Sequence, residues 1–125
     1  MTTKQPVVLL IEDDKSLIEM YQVRFQEDGF TILLAEDGAT GLELARTKHP
    51  DIILLDIMLP KMDGFAVLIE LKKDNATKKI PVLMMTNLGQ QADIDKGKQL
   101  GADDYIVKSS LTPSQVSEKI KAFLK

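Results

Sequence analysis

The chain has 125 residues, 44% apolar and 28% charged, and its 16 basic and 19 acidic residues give a net charge of −3. That is the size of one domain with a single core, so a disordered tail is excluded, and the lack of clustered basic residues argues against a nucleic-acid module. There is no cysteine, which removes a disulfide framework, a thiolate zinc site and a cysteine nucleophile together.

Short apolar runs alternate with stretches of helical spacing. Runs of strand character fall at residues 7–11, 31–35, 52–55, 82–85 and 105–107, at roughly even intervals. Continuous rather than alternating apolar character suits strands covered on both faces. Five βα units predict a parallel sheet with helices on both sides. After Asp14, Leu17, Ile18, Tyr21 and Phe25 form one helical stripe, and Gly29 is placed to end that helix. Asp37 and Asp63 are natural N-caps for the second and third helices. The fourth helix, around residues 90–100, is weaker: its stripe is little more than Ile94 and Leu100. Gly97 inside it costs about 1 kcal/mol relative to alanine. It reads either as a lightly packed surface helix or as an element of low local stability, the kind conformational switches draw on. The last helix has Thr112 as cap, Pro113 in its first turn and Gln115 to complete a capping box. Leu111 and Val116 form its expected staple, and Val116, Ile120, Phe123 and Leu124 its buried face. The opening Met-Thr-Thr-Lys-Gln-Pro lacks an apolar signal segment, and no apolar run is long enough to span a bilayer. The expectation is a cytoplasmic protein without membrane insertion, residues 1–125 forming one domain.

The chemistry lies where acidic residues interrupt apolar runs. The first run ends in Glu12-Asp13-Asp14, and the third in Asp56, within Leu54-Leu55-Asp56-Ile57-Met58. In an open α/β sheet, ligands bind beyond the carboxyl ends of the strands, near the switch point of the topology. If the first and third strands are neighbours, Glu12, Asp13 and Asp56 converge on one shallow pocket. Two carboxylates about 4 Å apart repel by roughly 4 kcal/mol at an effective dielectric of 20. A proton or a cation must relieve this. All-oxygen ligands favour a hard ion, Mg²⁺ above transition metals. Capping of the next helix explains Asp14 but not Asp56. Thr86 and Lys108 also end apolar runs. At one sheet edge they offer a hydroxyl and a cation facing the carboxylates, and both would bind phosphate oxygens if a carboxylate were modified.

The whole chain resembles the receiver domain of two-component response regulators, of the single-domain chemotaxis-receiver (CheY-like) kind. The likeness rests on Leu9-Leu10-Ile11-Glu12-Asp13-Asp14, on Ile53-Leu54-Leu55-Asp56-Ile57-Met58-Leu59-Pro60-Lys61-Met62-Asp63-Gly64, on the run ending in Thr86, and on Gly101-Ala102-Asp103-Asp104-Tyr105-Ile106-Val107-Lys108. It implies a doubly wound, flavodoxin-like (βα)5 sandwich with a five-stranded parallel sheet in the order 2-1-3-4-5. It implies that Asp56 is the phosphoacceptor, taking its phosphoryl group from a sensor histidine kinase or phosphotransfer protein. Asp13 and Asp56 then bind Mg²⁺ directly, Glu12 acts partly through water, and the backbone carbonyl of Met58 completes the protein's share. Thr86 and Lys108 bind the phosphoryl oxygens, Tyr105 is the aromatic switch, and Pro60 and Gly64 shape the loop beside the acceptor. Phosphorylation is expected to redistribute the face formed by the fourth helix, fifth strand and fifth helix.

Departures from the family pattern carry their own expectations. Ser109 and Ser110 follow Lys108 where proline with a cis bond is usual, and a cis bond before serine costs about 2.5–4 kcal/mol. Asn87 alters access beside the phosphate. Met58 and Leu88, two residues beyond Asp56 and Thr86, occupy rate-tuning positions; both are apolar, which predicts slow self-hydrolysis. His49, the Lys72-Lys73 pair and the Lys78-Lys79 pair read as solvated, and Met58, Met84 and Met85 as core and pocket packing. The protein is expected to be a signalling module rather than an enzyme, apart from self-catalysed phosphoryl transfer and slow loss of the phosphate. If 125 residues are the natural length, it is expected to act on a separate partner or in a relay, and the charge pattern of its fourth and fifth helices predicts a monomer or weak dimer. Two alternatives stand beside this: a receiver-like interaction module that is never phosphorylated, and a magnesium-dependent aspartyl-phosphate hydrolase of the haloacid-dehalogenase type. The latter places a second aspartate where Met58 stands.

Overall fold

The computed structural model describes residues 5–87 and 89–124. The elements follow strictly in βα alternation: β1 (Val7–Ile11), α1 (Lys15–Glu27), β2 (Thr31–Ala35), α2 (Gly38–Lys48), β3 (Ile52–Asp56), α3 (Gly64–Lys73), β4 (Val82–Thr86), α4 (Gln91–Gln99), β5 (Asp104–Val107) and α5 (Pro113–Phe123). The strands form one parallel sheet in the order β2-β1-β3-β4-β5. This is the doubly wound α/β arrangement expected, with β1 and β3 adjacent at the switch point.

Alternation of side chains along each strand feeds two cores. Val8, Leu10, Ile52, Leu54, Leu83 and Met85 pack with Ile18, Tyr21 and Phe25 of α1 and Val116 and Ile120 of α5. Leu9, Ile11, Ile53, Leu55, Val82 and Met84 pack on the other face with Leu42 and Ala45 of α2 and Phe65, Val67, Leu68 and Leu71 of α3. Because both faces are covered, the central strands carry apolar residues at consecutive positions. Ladder pairing continues one residue past two of those runs, so Asp56 and Thr86 are the last residues of their strands rather than the first of their loops.

The expected caps are present. Asp14 accepts from the amides of Ser16 and Leu17, Asp37 from Thr40, and Asp63 from Ala66. Thr112 and Gln115 make the reciprocal capping box, and Leu111 packs against the core that holds Val116. Helix α1 ends in a Schellman arrangement: Phe30 N–H donates to Phe25 O at 3.0 Å and Gly29 N–H to Gln26 O at 3.1 Å. Gly29 takes φ = +89°, which a side chain would resist.

Helix α4 buries only Ile94 and Gly97 and has no side-chain N-cap bond. A Cβ at Gly97 would meet Met84 Cγ at 3.4 Å, an ordinary van der Waals distance. His49 is exposed, as expected, and closes α2 in the left-handed region.

Two expectations need correction. Lys72 is not a solvated charge: its Nζ donates to the carbonyls of Lys78 (3.3 Å) and Ile80 (3.0 Å) and lies 3.5 Å from Asp103, pinning the turn before β4. Met84 and Met85 are buried, but Met58 is 70% exposed and belongs to no core; only the pocket half of its expectation holds, since it lines a cleft with Asp56. After Asp56 the chain leaves the sheet, so an apolar residue two positions later has nothing to pack against. Among the described residues every peptide bond is trans, including Lys108–Ser109.

Candidate functional site

The register explains why the acids meet. Ile11 pairs with Leu55, so Glu12 and Asp56, each one residue further on, come level on adjacent strands. The amide of Glu12 donates to Ala35 O at 2.9 Å, which extends the β1 ladder to the site. Glu12 and Asp56 are buried while Asp13 is exposed, and one ligand oxygen from each lies within 4.8 Å of the others. Glu12 Oε2 accepts from the amides of Asp13 and Asp14, both at 3.0 Å. Asp56 Oδ1 accepts from the amide of Met58 at 3.1 Å. Lys108 Nζ donates to Glu12 Oε1 at 2.5 Å and to Asp56 Oδ2 at 2.9 Å, with only 7% of its side chain exposed.

Main chain fixes the position of Asp56. Gly64 N–H donates to Ile57 O at 2.8 Å, bringing the start of α3 onto the end of β3. A Cβ at Gly64 would lie 2.2 Å from the carbonyl oxygen of Asp56, so only glycine allows that approach.

Thr86 is buried at the end of β4. Its Oγ1 accepts from Gly89 N–H at 3.3 Å, and its carbonyl accepts from Lys108 N–H at 2.8 Å. Ser109 Oγ donates to Asn87 O at 3.2 Å, tying together the loops that carry Thr86 and Lys108. A cleft of about 190 Å³ beside the acids is lined by Asp56, Ile57, Met58, Thr86, Asn87, Gln90 and Asp93. The sequence reading did not single out Gln90 and Asp93; their signal was their place at the start of α4, just beyond Thr86. Behind Thr86 an internal cavity of about 10 Å³ reaches Ile94, Gly97 and Tyr105, room for no more than one water. Tyr105 is half-buried on β5, with Lys98 Nζ 5.8 Å and Lys119 Nζ 5.6 Å from its ring centre. Leu88 lies outside the described residues.

Charge is in surplus here. Three carboxylates face one ammonium. Burial raises the Glu12 carboxyl above its ordinary range, against the opposing hydrogen bonds from Lys108 and from the backbone of Asp14. Burial also opposes the charge on Lys108, but its hydrogen bonds to Glu12 and Asp56 outweigh that and raise it. Tyr21, buried in the core below, is raised by burial and feels the charges of Lys108, Glu12 and Asp56. Oxygen donors alone, with net negative charge, fit a hard divalent cation.

A family model of the response regulator receiver domain matches residues 8–121. The chain belongs to that family. It is 41% identical over 123 residues to the DNA-binding dual master transcriptional regulator RpaA of Synechocystis, covering 96% of this chain and 49% of that protein. The chain spans about half the length of the curated relatives it matches. Among solved structures, the chemotaxis response regulator CheY4 of Vibrio cholerae superposes with a TM-score of 0.89 at 26% identity, over 96% of this chain and 99% of that one. The receiver domain of a Francisella response regulator gives 0.87 at 29% identity, over 95% and 96%. Receiver domains are signalling modules of two-component systems. They bind Mg²⁺ at an acidic pocket and interact with histidine kinases or phosphotransfer proteins and with output partners. Glu12, Asp13 and Asp56 form such a pocket here. No helix among the described residues is long and apolar enough to cross a membrane.

Proposed function

We propose that this receiver takes a phosphoryl group onto Asp56 from a phosphohistidine of a sensor kinase or phosphotransfer protein, and that the modified site changes the α4–β5–α5 face to control a partner. The observation that carries this is the single position shared by Asp56, two further acids and Lys108. An Asp56 oxygen attacks phosphorus as the P–N bond breaks, and the imidazole leaves with the electron pair. Such transfer depends mostly on alignment and charge neutralisation. Asp13, Asp56 and the Met58 carbonyl, with Glu12 acting partly through water, would hold Mg²⁺, which would neutralise charge on the phosphoryl oxygens. Lys108 already contacts Asp56 and exchanges that contact for a phosphoryl oxygen. The oxygen of Thr86 accepts from Gly89 N–H, so its own proton is free for the phosphate.

Thr86 then moves toward the phosphate, and Tyr105, which lines the small cavity behind it, follows into the space that Thr86 vacates. Weakly packed α4, with two buried residues, is the element this exchange biases. Asn87 sets access to the acceptor, and Met58 and Leu88, both apolar, offer no hydrogen bond to orient an attacking water, so the acyl phosphate is long-lived. Residues 1–125 act as one receiver domain, monomeric or weakly dimeric, in the cytoplasm, catalysing nothing beyond their own phosphorylation and its slow loss.

Incubation with acetyl phosphate and Mg²⁺, followed by intact mass, tests this reading. The expected result is a stable gain of one phosphoryl group that is absent in Asp56→Asn. No adduct favours a receiver-like module that is not phosphorylated, and rapid phosphate release from unrelated substrates favours a hydrolase.

A further inference from the structure

We infer that the sulfur of Met58 is a reversible oxidation site that shortens the lifetime of the phosphorylated state; this rests on the phosphoacceptor reading of Asp56. The chain has no cysteine, so methionine is its only sulfur. Among the described methionines, Met84 and Met85 are buried at 2% and 0% exposure, Met62 is half-buried, and Met20 and Met58 are exposed at 48% and 70%. Met20 lies on the outer side of α1, away from the chemistry. Met58 lines the cleft beside Asp56, and its own amide holds Asp56 Oδ1 at 3.1 Å. The most exposed of the described methionines is therefore also the one beside the acceptor.

The step needs a hydroperoxide. A sulfur lone pair attacks the terminal peroxide oxygen, the S–O bond forms and the O–O bond breaks. The departing alkoxide or hydroxide takes the proton and leaves as alcohol or water. Sulfur loses two electrons and the peroxide gains them, and methionine sulfoxide reductases reverse the change. A thioether is a weak acceptor. The sulfoxide oxygen is a strong, directional one at the rim of a cleft of about 190 Å³, which has room for several waters. It orients a water toward the acyl phosphate, which the thioether cannot do.

The test treats the purified chain with hydrogen peroxide, maps the oxygen by peptide mass, phosphorylates it with acetyl phosphate and times the decay. The expected result is that Met58 oxidises ahead of Met62, Met84 and Met85. Decay should accelerate about three- to tenfold, the factor that one added hydrogen bond of roughly 0.7–1.4 kcal/mol provides. The ratio of oxidised to unoxidised decay rates should fall to one in Met58→Leu and persist in Met20→Leu, and reductase treatment should restore the slow rate. A normal adduct whose lifetime ignores oxidation, or a response that survives in Met58→Leu, overturns this inference alone. No adduct before oxidation overturns the phosphoacceptor reading and takes this inference with it.

Discussion

Two charge clusters, one at the largely buried sheet rim and one partly exposed between α1 and α5, are balanced differently. At the sheet rim, Glu12 and Asp56 share the ammonium of Lys108, and Asp13 adds a third carboxylate beside them. At the seam between α1 and α5, Asp28 receives the Ser117 hydroxyl, Arg24 Nη2 at 3.1 Å and Lys121 Nζ at 3.9 Å, two cations that also pair with Glu27 and Glu118 on the outer side. The consequences run in opposite directions. Burial raises the Glu12 carboxyl, whereas the Ser117 hydrogen bond, ahead of Arg24 and Lys121, lowers that of Asp28. Asp28 therefore adds stability that is complete above the ordinary carboxylate range and is lost as pH falls through its lowered value. Glu12 does the reverse: its ionisation weighs against folding as pH rises through its raised value, and Lys108 limits that penalty. A satisfied cluster is a fastening. A cluster with excess charge is poised for a ligand.

The contrast is most exposed to removal of Lys108. Lys108→Met leaves two buried carboxylates without a counter-charge and should lose about 3–5 kcal/mol in urea unfolding without metal; an unchanged midpoint would break the contrast. Next in size is the response to Mg²⁺. At about 100 times its Kd, the ion should add about 2.7 kcal/mol to wild type in the same assay. Asp13→Asn should gain about 1 kcal/mol without metal, because one repulsive charge is gone, and should lose most of its Mg²⁺ response. Stability that drops instead would mean that Asp13 is held by attraction. The smallest effect belongs to the seam. Ser117→Ala should lower the melting temperature by a few degrees at neutral pH, the gap from wild type closing as acid protonates Asp28. A gap constant from neutral to acid pH would assign the loss to packing alone.

The sheet order and the meeting of the acids were legible because parallel strands covered on both faces demand continuous apolar runs, and polar residues at the ends of such runs must lie on one rim. Capping was legible because Asp14, Asp37, Asp63 and Thr112 act within a few residues of themselves. What escaped depends on distant neighbours. Ser117 reads as a surface hydroxyl on α5 but is buried against Asp28, 89 residues away in sequence. Lys72 reads as solvated until the chain returns its carbonyls at Lys78 and Ile80. Met58 reads as packing because it stands in an apolar neighbourhood of sequence, and only the outward path of the loop after β3 exposes it.

The contact of Gly64 with the main chain of Asp56 bears on how far the rim can be redesigned. Side chains around the acids can be exchanged one by one, but the junction beneath them is backbone against backbone and offers no rotamer to adjust. In a saturation library scored for folding, position 64 should tolerate nothing but its native residue, while positions 58 and 87, which line the cleft, accept most substitutions. Diversification of this scaffold therefore has a fixed keystone and a permissive border.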